Sequence, residues 1–300
     1  MRAVVVHEAG DPSVLRYEEA ERPEPAEGEV LIRVRAVSVN PVDWKRRRAL
    51  SQKDLPAVLG TDVSGTVEVS RADGFAEGDD VFGLAASGGY AEYATSPAGV
   101  VAKKPAEVSH EQAAAIPIAG LTAWQALFDV GGLESGQTAL IAGAAGGVGH
   151  FAVQFPKLVH AGAIGTGSSR NRDFVLGLGA EAYVDYTHED VAQEVGGVDV
   201  AFDTVGGETT HSLVPTVREG GIIVTIASAP PTEAARERGV RAELAGVSPN
   251  PQQLTRIAAL VAAGDVHVEL AEVLPLAEVQ RAHELSESRH VRGKIVLTVP

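Results

Sequence analysis

The sequence predicts an α/β protein in two parts: a β-rich part of short, irregular strands, and a doubly wound parallel sheet. Three observations predict it. The chain has 300 residues, enough for about two domains at roughly 150 residues each. Segments that alternate apolar and polar residues crowd the stretch from Ala3 to Lys103. From Thr138 onward, short apolar strands alternate with helical segments, the pattern of βαβ units.

In Val30-Leu31-Ile32-Arg33-Val34-Arg35-Ala36, Ile32, Val34 and Ala36 share one face and Arg33 and Arg35 the other, as in a half-buried strand. Further strands are expected at Ala3–His7, Asp62–Val69, Val81–Leu84, Tyr90–Thr95 and Val100–Lys103, with Gly, Pro and Asp clusters between them. Together they predict a small antiparallel barrel or sandwich. Ser109-His110-Glu111-Gln112 before Ala113-Ala114-Ala115 reads as a capped helix start. Strands at Thr138–Ile141, Ala163–Thr166, Tyr183-Val184, Asp199–Phe202 and Gly221–Ile226 then alternate with helices from about Gly147 and around Asp173–Leu178. The tail adds helices near Gln252–Ala263 and Leu276–Ser286 and a last strand, Lys294–Thr298. Pro156 falls within the helix expected after Gly147, where a proline forces a kink or an early end.

Composition narrows the function. Hydrophobic residues make up 45% and charged residues 22% of the chain, ordinary for a soluble globular protein. No cysteine is present, which removes disulfides, iron–sulfur clusters, thiolate zinc sites and a cysteine nucleophile. The net charge of −15 argues against nucleic acid or an anionic membrane as partner. With no signal-like segment at Met1–Asp11 and no long apolar run, the expectation is a cytoplasmic protein with a small-molecule partner.

Leu140-Ile141-Ala142-Gly143-Ala144-Ala145-Gly146-Gly147-Val148-Gly149 follows a strand and opens a helix. Against G-x-G-x-x-G, Ala144 takes the first place, and Gly146 and Gly149 match the second and third. Gly146 lets the backbone approach a pyrophosphate held at the helix N-terminus, and Gly149 lets helix and strand pack closely. Gly147 and Val148 complete this cofactor-binding turn. About 20 residues on, sites for NAD carry an acid for the ribose. Thr166–Arg172 instead holds Ser168, Ser169, Arg170 and Arg172. Hydroxyl and guanidinium donors suit a 2′-phosphate, so the expected cofactor is NADP(H).

Taken together, the motifs resemble the medium-chain dehydrogenase/reductase family, in its zinc-independent quinone oxidoreductase (zeta-crystallin-like) branch. Gly28–Val34, Val39-Asn40-Pro41-Val42-Asp43, Gly60–Gly65, Gly78–Gly83, Gly88–Tyr93, Gly120–Trp124, the glycine turn, Asp203–Gly207 and Arg292–Leu297 occur in the expected order. The resemblance implies a GroES-like β-rich catalytic domain (1–116), a Rossmann NADP-binding domain (117–256) and a segment returning to the catalytic domain (257–300), commonly as a homodimer. It also implies that Asn40 lies beside nicotinamide and substrate, that Asp43 and Thr122 position the cofactor, and that Tyr186, Val205, Ala227 and Lys294 contribute to its site. Zinc-using relatives place Cys and His where this chain has Asn40 and Thr61, so no metal is expected.

Without a Lewis acid, conjugated acceptors are favoured: quinones, enones or enoyl thioesters. The Tyr that relatives carry shortly after the Asn-Pro motif is missing from Arg48–Ser51; Tyr90 is the candidate substitute, the alternative being a role in an apolar wall with water as the proton source. Lys45-Arg46-Arg47-Arg48 reads as a solvated loop, with binding of a coenzyme A or carrier-protein phosphate as the functional alternative. His283 and His290 read as helix-surface residues. Two other functions stay open: an NADPH-binding sensor or structural protein without turnover, and a dedicated biosynthetic reductase of a bulky polycyclic substrate.

Overall fold

The computed structural model describes all 300 residues, which divide into two compact units. The first comprises Met1–Ile118 and Pro249–Pro300, the second Ala119–Ser248. The return to the first unit thus begins at Pro249, ahead of the helix Pro251–Ala262 that the sequence boundary at 256 would have divided.

A seven-stranded sheet forms the first unit. Its order is Leu270–Pro275, Lys294–Thr298, Glu29–Val39, Asp62–Ser70, Asp80–Leu84 and Val101–Lys103, with Tyr93–Pro97 also paired to Glu29–Val39. The strand Glu29–Val39 serves two partners on one edge: Tyr93–Pro97 along its first half and Lys294–Thr298 along its second. A small sheet of Leu15–Glu19, Arg2–Val6 and Ala57–Val58 completes the β structure. Inward residues such as Val30, Ile32, Val34, Val63, Val81 and Leu297 make the core, as the period-two reading requires.

The segment Pro41–Ala49 is an α-helix and not the loop that its charge suggested. Its start is well specified: Asn40 caps it, Pro41 supplies a fixed φ at the first position, and the Asp43 carboxylate accepts the Asn40 N–H at 2.8 Å.

The second unit carries six parallel strands in the order Ala182–Asp185, Gly162–Gly167, Thr138–Ala142, Val198–Asp203, Val217–Thr225 and Arg241–Leu244. Relabelled by sequence, that order is the doubly wound 3-2-1-4-5-6. Pro156 causes no kink, because the helix after the glycine turn ends at Gln154 and the proline opens a separate 3₁₀ turn, Pro156–Val159. There its missing N–H leaves no hydrogen bond broken.

Candidate active site

Strand register assembles the first polar cluster. Ser38 lies opposite Asp62 on one side and Val296 on the other, and Val39 pairs with Ile295. One step further, Asn40 therefore meets Lys294. The Lys294 ammonium donates to Asn40 Oδ1, and Asn40 Nδ2 donates to Asp62 Oδ2 at 2.9 Å. An ammonium can only donate and a carboxylate only accept, so these partners fix which end of the amide is oxygen. Asp62 also accepts the Ser38 hydroxyl at 2.9 Å and the Ile118 N–H at 3.1 Å, and lies 4.0 Å from Lys294. Burial raises the Asp62 pKa against the pull of Lys294, and lowers that of Lys294 against the pull of Asp62.

Asp43 is the hub of a second set. Its Oδ2 accepts the Asn40 N–H and the Tyr90 hydroxyl, the latter at 3.2 Å, and its Oδ1 accepts the Thr61 hydroxyl at 3.2 Å. Burial pushes its pKa up to about 6; the Asn40 N–H opposes this and the charge of Asp62 adds to it. Gly60 makes the approach of Tyr90 possible: at φ +88 it adopts a conformation that favours glycine, and a Cβ there would sit 2.5 Å from the Tyr90 ring.

Behind Tyr90 stands His283, whose Nε2 is 3.1 Å from the phenol oxygen and whose Nδ1 is 2.7 Å from Arg47. His283 is fully buried, against the surface position expected of it, whereas His290 is exposed. The reason is helical spacing: Val279, Ala282 and His283 form the inward face of the helix Val279–Glu287. Burial, and then the charge of Arg47, lowers the His283 pKa to about 3 and keeps the ring neutral. Arg47 is itself fully buried, bonded to Gly10 O at 3.0 Å and Glu287 at 2.5 Å. Arg48 pairs with the same Glu287. Of the basic run, therefore, only Lys45 and Arg46 are exposed without an ion pair to Glu287, and Arg47 is committed away from any phosphate.

In the second unit the glycine turn leaves the carboxyl end of the central strand Thr138–Ala142. A Cβ at Gly149 would lie 2.1 Å from Gly143 O, so only glycine lets the helix start this close to the strand. Three residues stand exposed just past the carboxyl ends of strands: Tyr186 at 60% after Ala182–Asp185 at the sheet edge, and Val205 at 50% and Ala227 after the adjacent strands Val198–Asp203 and Val217–Thr225. Such a rim is what a bound dinucleotide covers. The loop carrying Val205 is tied by Asp203, which accepts the N–H groups of Val205 and Gly206 at 2.9 and 3.0 Å. Thr122 is buried in the helix Pro117–Trp124.

The segment Ser168–Arg172, expected to meet a 2′-phosphate, is less purely basic than its linear sequence. Gly167 pairs with Asp185 across the sheet, and the Ser169 hydroxyl donates to the Asp185 carboxylate. Hydrogen bonds from Ser169 and Thr187 hold that carboxyl well below the usual range, so it stays charged. Ser168, Arg170 and Arg172 flank it, with the Arg172 guanidinium 5.8 Å from the Tyr183 ring centroid.

Comparison with known proteins now decides the family. Residues 26–106 match the alcohol dehydrogenase GroES-like domain, and residues 178–297 match a domain described as zinc-binding dehydrogenase. The chain is 32% identical to the chloroplast envelope quinone oxidoreductase homolog of Arabidopsis thaliana, over 96% of this chain and 95% of that one. The quinone oxidoreductase of Coxiella burnetii superposes with a TM-score of 0.93 at 34% identity, covering 100% of this chain and 99% of that one. The Escherichia coli quinone oxidoreductase, solved in complex with NADPH, gives 0.90 at 28% identity over 99% and 100%. The chain belongs to the medium-chain dehydrogenase/reductase family.

Within this family of oxidoreductases, the sequence-expected residues fall into two groups. Asn40, Asp43, Tyr90 and Lys294 come together in the first unit. The glycine turn (Gly146, Gly147, Val148, Gly149), Ser168, Ser169, Arg170, Arg172, Tyr186, Val205 and Ala227 gather along the carboxyl edge of the parallel sheet, and Thr122 belongs to the same unit. Despite the word zinc in one domain description, no group of three or more His, Asp or Glu side chains could hold a metal ion. Asn40 and Thr61, an amide and a hydroxyl, are also poor donors for zinc. Sequence reasoning missed Asp62, His283 and Arg47. His283 and Arg47 were visible as inward positions of amphipathic helices; Asp62 gave no such signal, because at period two it shares a face with Ser64, Thr66 and Glu68.

Proposed function

We propose that the protein is a zinc-independent oxidoreductase that uses NADP(H) to reduce a quinone or an α,β-unsaturated carbonyl. The observation that carries this reading is the Asn40 amide locked between Lys294 and Asp62. Those two bonds leave the second Nδ2 hydrogen fixed in direction before any substrate arrives. A preorganised donor stabilises developing negative charge without reorganisation and so stands where a metal would otherwise be needed. Lys294 keeps the amide oxygen occupied, which prevents the amide from flipping its acceptor toward that charge.

Reduced NADP supplies the hydride when bound. The glycine turn and the helix behind it hold the pyrophosphate, while Tyr186, Val205 and Ala227 cover the dinucleotide. Ser168, Arg170 and Arg172 bind the 2′-phosphate, and Asp185 opposes it and limits the preference over NAD(H). The family membership and the NADPH-bound Escherichia coli relative support this assignment. Because Arg47 is consumed internally, the basic run offers little to a thioester carrier, and a free quinone or enone is the favoured acceptor.

The test is anaerobic consumption of NADPH, with NADH in parallel, against a large ortho-quinone, a simple quinone and a short alkenone. Turnover with NADPH on any of them is expected. Arg172→Ala should weaken NADPH binding by about tenfold, one charge-assisted contact, and leave NADH unchanged. Tight NADPH binding with no acceptor reduced overturns the reductase reading, and a preference for NADH overturns the cofactor assignment.

A further inference from the structure

Resting on that reading, we infer that Thr61 hands the reduced acceptor its proton from Oδ1 of Asp43, and that Arg47, His283 and Tyr90 form a one-way hydrogen-bond chain that reserves this oxygen for the task. The direction of the chain follows from its first member. A guanidinium can only donate, so Arg47 fills His283 Nδ1 and the neutral ring must carry its hydrogen on Nε2. That hydrogen points at the Tyr90 oxygen, so the phenol hydrogen has to point onward, to Asp43 Oδ2. With the Asn40 N–H also on Oδ2, that oxygen holds two donors. Oδ1 has only the Thr61 hydroxyl and is where a proton can reside.

Thr61 is the outlet. Asp43 is 3% exposed and Tyr90 and His283 are fully buried, whereas Thr61 is half-buried. Val42, beside Asp43 on the first turn of its helix, is 48% exposed and offers an apolar face to a planar acceptor. Hydride addition leaves an oxyanion on the acceptor. The Thr61 O–H bond then breaks toward the oxyanion while Thr61 Oγ1 takes the proton from Asp43 Oδ1. The acceptor ends with one hydride and one proton, Thr61 is unchanged, and Asp43 is a carboxylate that water reprotonates through the same hydroxyl. Asp43 thus acts through Thr61, the residue that touches the acceptor. A carboxyl titrating near pH 6 is suited to this exchange. The charged and titratable groups around it are Asp62 and Lys294 on the sheet side, and Tyr90, His283, Arg47 and Glu287 along the chain.

The experiment pairs activity with a readout that needs no cofactor. In the wild type, kcat should fall as pH rises through about 6, with a solvent isotope effect. Thr61→Val should lower kcat about 100-fold and remove both signatures with NADPH affinity unchanged, and Thr61→Ser should restore them. Independently, the carboxyl carbon resonance of Asp43 in the cofactor-free protein should titrate near pH 6, and higher in Tyr90→Phe, which loses a donor to the carboxylate. A Thr61→Val enzyme with wild-type rate and pH profile overturns the inference and leaves the proposed function standing. An Asp43 midpoint near 4, the ordinary carboxylate value, also overturns it. A wild type that reduces no acceptor overturns the proposed function itself.

Discussion

Each unit buries a carboxylate beside its own group of candidate residues, and the two are buried differently. Asp203, in the parallel sheet, accepts hydrogen bonds from the N–H groups of Val205 and Gly206 and from the hydroxyls of Thr210 and Thr225. Both of its oxygens are saturated by neutral donors, three of them from residues no more than seven positions away. Asp43 receives three donors from three separate segments, and one of its oxygens has a single hydroxyl at 3.2 Å. A saturated buried carboxylate is a structural knot; an under-supplied one holds a proton more readily. The contrast separates a residue that shapes a loop from one that can do chemistry.

The largest effect should come from cutting the knot. Asp203→Ala strands four donors, two of them the buried hydroxyls of Thr210 and Thr225, and should cost at least about 3 kcal/mol of unfolding free energy in urea titrations. If the variant is as stable as the wild type, the saturation argument fails.

His283 should come next, and its sign is definite. Its folded pKa is depressed, so its stabilising contribution is complete above pH 6.5 and is lost as pH falls toward 3. Between pH 6.5 and 4 that loss amounts to about 3 kcal/mol. His283→Gln keeps an acceptor for Arg47 and a donor for Tyr90, and should remove this part of the acid sensitivity. The smallest effect belongs to Asp43, with the opposite sign. Its folded pKa is raised, so its contribution is full below 3.8 and is lost as pH rises through about 6. Asp43→Asn should therefore erase a fall of about 2 kcal/mol between pH 4 and 6. Unfolding curves of the two variants across that window should diverge in opposite directions from the wild type.

The sequence made some of this legible and hid the rest for physical reasons. Local signals carried the strands, the glycine turn and the Ser109 cap, where Ser109 and Gln112 exchange their hydrogen bonds as expected. The helix Pro41–Ala49 was misread because four consecutive basic residues look solvated, although Asn40-Pro41 with Asp43 is a helix start. With that helix drawn, Asp43, Trp44 and Arg47 fall on one inward face at helical spacing. His283 carried the same signal, overlooked because histidine was weighed as a surface residue. Asp185 was out of reach of any linear reading. It approaches Ser169 only because the next strand places it opposite Gly167. Lys294 and Asn40 meet for a similar reason, across a pairing 254 residues apart in sequence.

That last pairing also bears on how the protein is made. Lys294–Thr298 lies inside the seven-stranded sheet, between Leu270–Pro275 and Glu29–Val39, and is not an edge added at the end. On the ribosome the strand Glu29–Val39 emerges early and then waits for its neighbour while the whole parallel-sheet unit is synthesised. The second unit, continuous in sequence, can fold first, and the first can close only when Lys294–Thr298 appears. Until then Asn40 has no ammonium partner and the second half of one edge of Glu29–Val39 stands open, so nascent chains stalled before residue 294 are the form most exposed to wrong pairing and to chaperone capture.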